Sequence, residues 1–414
     1  MFVAGFVLIV VAAALCWFAI GRAAGRPHPP VCAAAIGMQV LVPAYAIPIP
    51  LMWVTGIVLA TVPLIGRRRA AWAPVVVAAA LVTWGAISHW AWGYGGIDVF
   101  DEVQGSTAAL LRGQNPYSPV YSIYLDSPLH HVVRGAASFN YGPVVVLVSV
   151  PARLLGDIRV TMAVLNVAIL VALLTWSRRA TADLHLLPTI AALWLASPFI
   201  PLMILYAWTD SVSMAGMAWW LVLRDRHRNW STLVLAVTLA SKPTFLPLVI
   251  PLVFWVRSTW REFLWATGGA VLIVAPFALW TGVAQFVYDT VLIFGDLPAR
   301  RDAVGLNGLS TALGGGLLPP SLLLGGTVVT VLAFTLRRPR DYADLLLAGA
   351  GMLVVVYFFA KQAFINYDFN AAMTLLFVIG AGSLLPATPL SHPVDDLRLA
   401  GARLLRRQSR TAVT

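Results

Sequence analysis

The feature that most constrains this chain is a series of long apolar runs separated by short tracts rich in arginine. A helix needs about 20 apolar residues to cross the hydrocarbon core of a bilayer, and runs close to that length occur at residues 2–20, 71–92 and 263–280. Only 11% of the residues are charged, against about 25% in a typical soluble domain. The pattern predicts an all-α fold in which about 11–13 helices form a polytopic transmembrane bundle.

The arginine tracts predict how these spans are oriented. In membrane proteins the short loops on the cytoplasmic side carry an excess of Lys and Arg. Such tracts account for the net charge of +11, so nucleic-acid binding is not expected. The tracts lie at residues 67–69, 178–179, 224–228, 257–261, 337–340 and 403–410.

The same pattern divides the chain into parts. Residues 1–390 are expected to form one membrane domain, and residues 391–414 a basic cytoplasmic tail. Two polar segments, 93–143 and 281–309, lie opposite the basic tracts and are predicted to be outer loops. The first is the longest polar interruption between apolar runs, which makes it the leading candidate for a functional segment.

In two regions, a single membrane crossing by each apolar run would not agree with the positions of the arginine tracts. Residues 144–155 are short, and residues 158–176 end at two arginines that would lie outside if both segments crossed, so one of the two is expected to re-enter or lie flat. Residues 231–256 have basic residues at both ends, which requires an even number of passes. Ser241-Lys242-Pro243 is predicted to split this run into two short helices, with Lys242 near the apex.

Charged side chains at the edge of the membrane form a second pattern. On insertion scales a charge at the bilayer centre costs roughly 2.5–3.5 kcal/mol, so such groups are functional candidates by default. The predicted topology brings several distant charged segments to the outer face. They are residues 98–102, Asp210, Lys242, Arg300, Arg301 and residues 361–368.

Asp98 precedes a run, residues 99–112, that is predicted to be helical and that Gly113 can terminate. As the N-cap, with Asp101 in the third helical position, it would resemble a capping box. It could also act as a general base held at a helix start, and the two roles are compatible. Asp101 or Glu102, one turn further on, could take the base role instead.

A metal site is not expected from the histidine pair at His130 and His131. Adjacent side chains point apart on a strand and about 100° apart on a helix, whereas zinc sites use spaced ligands. No cofactor is therefore predicted. A divalent ion held by Asp98 and Asp101 remains a less favoured alternative.

A family resemblance begins at Asp98-x-x-Asp101-Glu102 and continues through Leu-Leu-Arg-Gly-Gln-Asn-Pro-Tyr at residues 110–117. This pattern resembles the first outer loop of the GT-C superfamily of membrane glycosyltransferases. Within that superfamily it is similar to the polyprenyl-phosphate-mannose-dependent α-mannosyltransferases of actinobacterial type. Asn140-Tyr141-Gly142-Pro143, Lys242-Pro243 in a broken helix and the polar segment 362–367 also fit. The chain departs from the family in having about four spans, rather than one, before this loop.

The resemblance implies an inverting glycosyltransferase of GT-C type with an extracytoplasmic catalytic loop, embedded as a multi-pass protein in the plasma membrane. Asp98 takes the family's catalytic position, with Asp101 and Glu102 as alternatives. The implied donor is a sugar, expected to be mannose, on a polyprenyl phosphate, and the implied acceptor is a glycolipid or polysaccharide. Enzymes that use lipid monophosphates in this way are mostly independent of metal.

The leaving lipid phosphate gains negative charge during such a transfer, so fixed cations are candidates for binding it. Lys242 is the first choice, and its alternative role is a structural ion pair with Asp210. Arg300 and Arg301 could simply be solvated, and Lys361 could extend to the membrane interface. Candidates for sugar or acceptor binding are Asn115, Tyr117, Asn140, Tyr141, Trp208, Asp210, Gln362, Asn366 and Tyr367.

Two of these aromatic residues, Trp208 and Tyr367, could stack on sugar faces or could be interfacial aromatics. A transporter or flippase of lipid-linked sugars is the alternative function, and a polymer ligase of similar topology is a third. Transporters tend to place ionisable residues near the midplane and to contain internal repeats. Here the polar groups gather at one face and no repeat is visible, which favours an enzyme.

Overall fold

The computed structural model describes residues 98–124, 133–180, 190–191, 194, 197, 199–224, 226–242, 245–296, 305–337, 339, 342–361 and 365–381. The spans predicted before residue 93 and the tail predicted at 391–414 lie outside the described residues. So do His130, His131, Arg300, Arg301 and Gln362.

The described chain is dominated by α-helices, which confirms the predicted all-α membrane fold. One addition is an antiparallel hairpin, in which β1, Tyr121–Tyr124, pairs with β2, Val133–Ala137. The hairpin lies within residues 93–143, the predicted first outer loop, which we call the first outer segment. The helices are α1 Asp98–Leu111, α2 Pro143–Leu154, α3 Arg159–Ala180, α4 Phe199–Leu205, α5 Asp210–Leu223, α6 Arg228–Leu239, α7 Leu246–Trp255, α8 Arg257–Thr281, α9 Val283–Val287, α10 Ile293–Asp296, α11 Leu306–Ala312, α12 Pro320–Leu336, α13 Tyr342–Phe359 and α14 Ile365–Ala381.

Three of the described helices are long and apolar enough to cross a membrane, over Arg159–Arg179, Thr259–Thr281 and Tyr342–Phe359. They occupy different depths in the bundle. In the α13 span 72% of the residues are buried, against 17% in the α8 span. Side chains such as Trp265 and Leu272 on α8 are exposed. A helix that keeps so much apolar surface uncovered is suited to contact lipid, whereas α13 packs in the interior.

The lengths of the two helices that follow residue 142 indicate which of them can cross the membrane. α2 has 12 residues and is therefore about 18 Å long, which is too short for a core about 30 Å thick. α3 has 22 residues, or about 33 Å, and ends at Arg178 and Arg179. By length, α2 is the segment that does not cross.

The predicted break in residues 231–256 is present. α6 ends at Leu239, Ala240, Ser241 and Lys242 follow outside any helix, and α7 begins at Leu246. Pro243 itself lies outside the described residues.

The second predicted outer loop, 281–309, is largely helical where it is described. α8 runs to Thr281, and α9, a π-helical turn over Tyr288–Leu292 and α10 follow without a long loop. Phe286 and Ile293 are buried along this stretch. They are seven residues apart, about two helical turns, so a helix can bury both on one side.

The bundle has two chemically different ends. α5 runs from Asp210 to Arg224, and α6 returns from Arg228 to the break at Lys242. We call the end that carries Arg179, Arg224 and Arg228 the basic end, and the end that carries Asp210, Lys242 and Asn366 the site end. Hydrogen bonds fasten the helices at the basic end: Arg179 to the carbonyl of Val222, Arg224 to Thr259, and Trp255 to the carbonyl of Thr335.

Candidate active site

Asp210 is the centre of the site end. It is the first residue of α5, it is completely buried, and the positive end of the helix dipole favours its negative charge. Its Oδ2 accepts a hydrogen bond from Lys242 Nζ at 2.9 Å and another from the Asn366 amide, and its Oδ1 accepts one from Asn370 at 3.2 Å. One carboxylate therefore connects α5, the α6–α7 break and α14.

Lys242 lies between this carboxylate and two aromatic rings. Its side chain is only 8% exposed. The ammonium is 4.5 Å from the ring centroid of Tyr367 and 5.5 Å from that of Tyr141, distances at which a ring face attracts a cation. Tyr367 in turn stacks on Tyr357 of α13 at 5.0 Å. The ion pair with Asp210, which was the alternative role for Lys242, is thus present, and it is bordered by tyrosines.

A turn with unusual backbone geometry presents Asp210 to this site. Between α4 and α5, Ala207 has a φ of 51°, in the left-handed region. Trp208 follows and is 7% exposed, with its ring 5.1 Å from that of Tyr206. Trp208 is therefore packed within the bundle.

The segment Asn140-Tyr141-Gly142-Pro143 docks directly on the helix break. The Gly142 N–H donates a hydrogen bond to the carbonyl of Ser241 at 2.8 Å. A Cβ on Gly142 would lie 2.1 Å from the carbonyl oxygen of Ala240 and 2.6 Å from that of Ser241. Only glycine allows this approach, which places Tyr141 beside Lys242.

The three carboxylates predicted as catalytic candidates lie in different environments on α1. Asp98 begins the helix, is partly buried and accepts a hydrogen bond from the N–H of Val99. Asp101 is exposed. Glu102 is 1% exposed. Because Asp98 and Glu102 are four residues apart, they share one face of the helix.

Glu102 connects α1 to the docking segment. Its Oε1 lies 3.5 Å from the amide nitrogen of Asn140. Burial, followed by the charge of Asp98, raises the pKa of Glu102 well above its ordinary range. Burial also raises the pKa of Tyr141, and the charges of Glu102 and Asp98 add to that effect. Both carboxylates therefore lie close enough to Tyr141 for their charges to affect its hydroxyl.

Two predicted sugar-binding residues instead hold the first outer segment together. The side-chain oxygen of Asn115 accepts the N–H of Tyr117, and its amide bonds Thr281 at the end of α8. Tyr117 is 2% exposed, its hydroxyl donates to the carbonyl of Tyr141, and its ring contacts Phe286. Tyr117 thus has no ring face open to a sugar, because packing encloses it.

Lys361 lies apart from Asp210. Its ammonium donates a hydrogen bond to the carbonyl of Gly295 at the end of the α8–α10 segment. Asn307 bonds the Lys361 carbonyl at 3.4 Å. The structure therefore places Lys361, which follows α13, where it ties the end of that helix to α10.

Sequence reasoning missed two polar residues. Asn370 binds Asp210 and lies four residues after Asn366, so a helical i, i+4 spacing could have identified it. Asp289, in the π-helical turn, is 2% exposed and receives a hydrogen bond from Gln285. Burial raises the pKa of Asp289. Its burial depends on a helix that the polar composition of the segment did not predict.

Metal binding has no obvious ligand set in the described part of the chain. No group of three or more His, Cys, Asp or Glu residues there could hold an ion.

Fold and site together define a class: a polytopic α-helical membrane protein with a buried ion pair, amides and tyrosines gathered at one end of the bundle. A model of glycosyltransferase family 87 (GT87) matches residues 139–360, more than half of the 414-residue chain. The chain therefore belongs to glycosyltransferase family 87, a family of GT-C type. The predicted glycosyltransferase class is confirmed, and the transporter alternative is set aside.

The family match covers only part of the site. Asn140, Tyr141, Asp210 and Lys242 fall inside the matched residues, whereas α1 and α14 fall outside them. No curated protein and no solved structure matches the chain.

Proposed function

We propose that this glycosyltransferase transfers mannose, with inversion, from a polyprenyl-phosphate donor to a lipid- or glycan-linked acceptor on the outer face of the plasma membrane. The observation that carries the proposal is the convergence of α1, the Asn140–Gly142 segment, the α6–α7 break and α14 at one end of a membrane bundle. Mannose and the polyprenyl-phosphate donor are inferred from the resemblance of the segment that begins at Asp98.

The depth of the Asp210–Lys242 pair supports a donor that stays in the bilayer. α5 has 14 residues, so Asp210 lies about 21 Å along the helix from its basic end. The hydrocarbon core is about 30 Å thick. If the basic end marks the cytoplasmic boundary, the pair lies inside the membrane, nearer its outer side. A phosphate carried on a lipid can reach that depth without leaving the bilayer.

Asp98 is the best placed base of the three carboxylates. Asp101 is exposed, and Glu102 is enclosed and favours its neutral form. Asp98 is partly buried at the helix start, and its charge reaches Tyr141. A general base must be within reach of the acceptor hydroxyl, and the partly buried carboxylate of Asp98 meets that requirement better than the enclosed carboxyl of Glu102.

The reaction then proceeds by a single displacement. Asp98 takes the proton from the acceptor hydroxyl, whose oxygen forms a bond to the anomeric carbon. The bond from that carbon to the phosphate oxygen breaks, and the polyprenyl phosphate leaves with the electron pair. The transition state resembles an oxocarbenium ion, as in other glycosyl transfers. The Lys242 ammonium, which lies beside Tyr141 and Tyr367 at the site end, would stabilise the charge that develops on the phosphate.

The substitution Asp98→Asn tests this assignment. The structure places Asp98 in the first helical position rather than at the N-cap. Asparagine has nearly the same shape as aspartate, and its side-chain oxygen can still accept the hydrogen bond from the N–H of Val99, so the melting temperature of the purified full chain should change little. An amide cannot accept the proton, so kcat for mannosyl transfer in proteoliposomes should fall by roughly 10²–10⁴-fold, the usual contribution of a general base. Asp101→Asn, at an exposed position of the same helix, is the matched control and should have a much smaller effect.

Two other outcomes would contradict the assignment of Asp98 as the general base. Normal turnover in Asp98→Asn together with its loss in Asp101→Asn would move the base by one turn. Normal turnover in both variants and in Glu102→Gln would exclude α1 as the source of the base.

We also propose that transfer requires no metal ion, because the lipid-monophosphate-dependent enzymes that this chain resembles are mostly independent of metal. Transfer by the full chain should therefore persist after treatment with a strong chelator. A loss that Mg²⁺ or Mn²⁺ restores would contradict this, and would direct attention to Asp98 and Asp101.

A further inference from the structure

Glu102 and Asn140 each have one buried oxygen that lacks a hydrogen-bond donor. Glu102 Oε2 and Asn140 Oδ1 are both buried, and neither has a hydrogen-bond partner among the described residues. The other atoms of the same two groups, Glu102 Oε1 and Asn140 Nδ2, face each other at 3.5 Å. The two planar groups are therefore adjacent, with one contact formed and one acceptor left over on each.

An ionised Glu102 cannot resolve this arrangement. A carboxylate only accepts hydrogen bonds, and so does an amide oxygen, so neither of the two remaining oxygens can donate a hydrogen bond to the other. A single proton on Glu102 Oε2 supplies the missing donor. A small rotation of the amide then closes a pair of hydrogen bonds, from Asn140 Nδ2 to Oε1 and from Oε2 to Asn140 Oδ1.

We propose that Glu102 is a neutral carboxylic acid at physiological pH, paired with the Asn140 amide through two hydrogen bonds, and that the pair is a positioning device. It fastens α1 to the segment whose next residue, Tyr141, borders Lys242. Only its effect on transfer rests on the proposed function. The state of the proton on Glu102 can be tested on the folded protein alone.

Most of the groups around Glu102 favour its neutral form, and burial and the charge of Asp98 each raise its pKa by more than the opposing backbone N–H of Asn140 lowers it. Asp98 and Asp101 lie on its own helix, the Tyr121 hydroxyl approaches from β1, and Tyr141 approaches from the segment before α2. None of these carries a positive charge, and no basic side chain pairs with Glu102 in the part of the chain that the structure describes. Burial and the neighbouring carboxylates accordingly raise its pKa.

This pairing gives two carboxyls on one helix face different tasks. A neutral Glu102 adds no negative charge beside Asp98, and this leaves the proposed role of the base to Asp98. The Glu102 proton is held in a hydrogen bond to Asn140 and takes no part in the transfer. Glu102 is therefore a positioning residue, and the base lies one turn away.

The first test is the pH dependence of stability. It is measured as the melting temperature of the full chain in detergent at a series of pH values. A carboxyl whose pKa is raised on folding stabilises the protein fully below its unfolded value, ordinarily 4.5, and this contribution is lost as pH rises through the folded value. Glutamine can make the same two hydrogen bonds without a proton to lose. The melting temperature of Glu102→Gln should therefore rise relative to wild type as pH increases from about 4.5 upward.

Asp296→Asn, an acid-to-amide change at an exposed position of α10, is the matched control, and its difference from wild type should not grow in this way. A wild-type protein that gains stability relative to Glu102→Gln as pH rises would show that folding favours the ionised form, and would overturn the proposal.

Infrared spectroscopy provides a direct second test. The wild-type protein at neutral pH should show the carbonyl stretch of a buried protonated carboxylic acid, and Glu102→Gln should lack it. A band that is absent from the wild type, or unchanged in Glu102→Gln, contradicts a neutral Glu102.

The proposed positioning role of Glu102 is tested by measuring kcat for transfer. Glu102→Ala removes the pair and should lower kcat by on the order of 10²-fold, the scale of a small misplacement at an active site. Glu102→Gln should recover most of that loss, since it restores both hydrogen bonds. If Glu102→Gln is as inactive as Asp98→Asn, Glu102 exchanges its proton during transfer and the positioning role is wrong. If the wild type transfers no mannose, the proposed function fails, while the pH and infrared results still decide the state of Glu102.

Discussion

Asp210 and Lys242 are a buried ion pair whose parts cannot be removed singly without cost. Asp210 has three partners from two other regions, and its carboxylate is wholly enclosed. Deleting one member of a buried pair leaves the other charge uncompensated, and this typically costs about 3–5 kcal/mol. Replacing both members leaves no unpaired charge and is often close to neutral.

This asymmetry separates the structural and catalytic roles of Lys242. Lys242→Gln and Asp210→Asn should each lower the melting temperature strongly, and the double variant should recover most of it. Transfer should not recover: without the ammonium, kcat/KM for the donor should stay about 10²-fold low, the scale of losing one preorganised charge-stabilising donor. Detergent melting and steady-state kinetics on the three variants measure both quantities.

Recovery of transfer in the double variant would contradict a phosphate-binding role for Lys242 and would leave it with the structural role alone. The exposed substitution Asp296→Asn serves as the control for the loss of a carboxylate at the site end.

At the scale of elements, the contact between Gly142 and the α6–α7 break is the least tolerant feature of the site. The atoms that a new Cβ would meet, at 2.1 and 2.6 Å, are backbone oxygens. A side chain can change rotamer to relieve a clash, but the backbone at the end of α6 cannot do so. Overpacking typically costs 1–3 kcal/mol, occasionally more, and here the strain falls on the segment that carries Tyr141.

Gly142→Ala should therefore lower stability by roughly 1–3 kcal/mol or more, and should reduce transfer further than the stability loss explains. Gly268→Ala in the middle of α8 is the control. Nothing lies within 4 Å of its added Cβ, and alanine is the better helix former by about 1 kcal/mol. Normal transfer in Gly142→Ala would show that the docking contact does not position Tyr141.

The elements also show which parts of the fold the sequence can predict. The apolar run at 263–280 predicted a membrane span, and the structure has α8 at Arg257–Thr281. The break at Lys242 followed from the local effect of proline on the preceding residue. Such features depend on residues that are close along the chain.

Features that depend on distant partners were not predictable in the same way. The hairpin forms because β1 packs on α1, where Tyr121 bonds Ser106. Of the candidate site residues, Tyr117 became a packing residue, because its hydroxyl meets a carbonyl 24 positions away. Charge and residue type marked Asp98, Glu102 and Lys242 as candidates, but only tertiary structure separates the exposed carboxylate from the enclosed one.

At the scale of the whole molecule, the separation of the two ends is the organising property. α5 and α6 each have a basic residue at one end and a site residue at the other. By helix length the ion pair lies about 21 Å from the basic end, which is nearer the midplane of a core about 30 Å thick than its far boundary, so its depth does not distinguish an enzyme from a transporter. The match to glycosyltransferase family 87 makes that distinction, and the docking segment covers the ion pair through Tyr141.

The orientation of these two ends can be measured directly. The positive-inside rule places the basic end in the cytoplasm, so the first outer segment should face outward. Ser118, in that segment, and Asn229, at the start of α6, are both exposed and polar, which makes them a matched pair for cysteine substitution. Cys16 and Cys32 should first be replaced by serine so that only the new thiol reacts.

A membrane-impermeant thiol reagent should label Ser118→Cys in intact cells and Asn229→Cys only after permeabilisation. The two positions lie at opposite ends of the bundle, so the comparison controls for expression and for thiol reactivity within one background. Labelling of Asn229→Cys in intact cells, with Ser118→Cys protected, would reverse the orientation. A lipid-linked donor would then have to present its sugar from the cytoplasmic leaflet, and the outer-face part of the proposed function would be wrong even if the glycosyl transfer itself were confirmed.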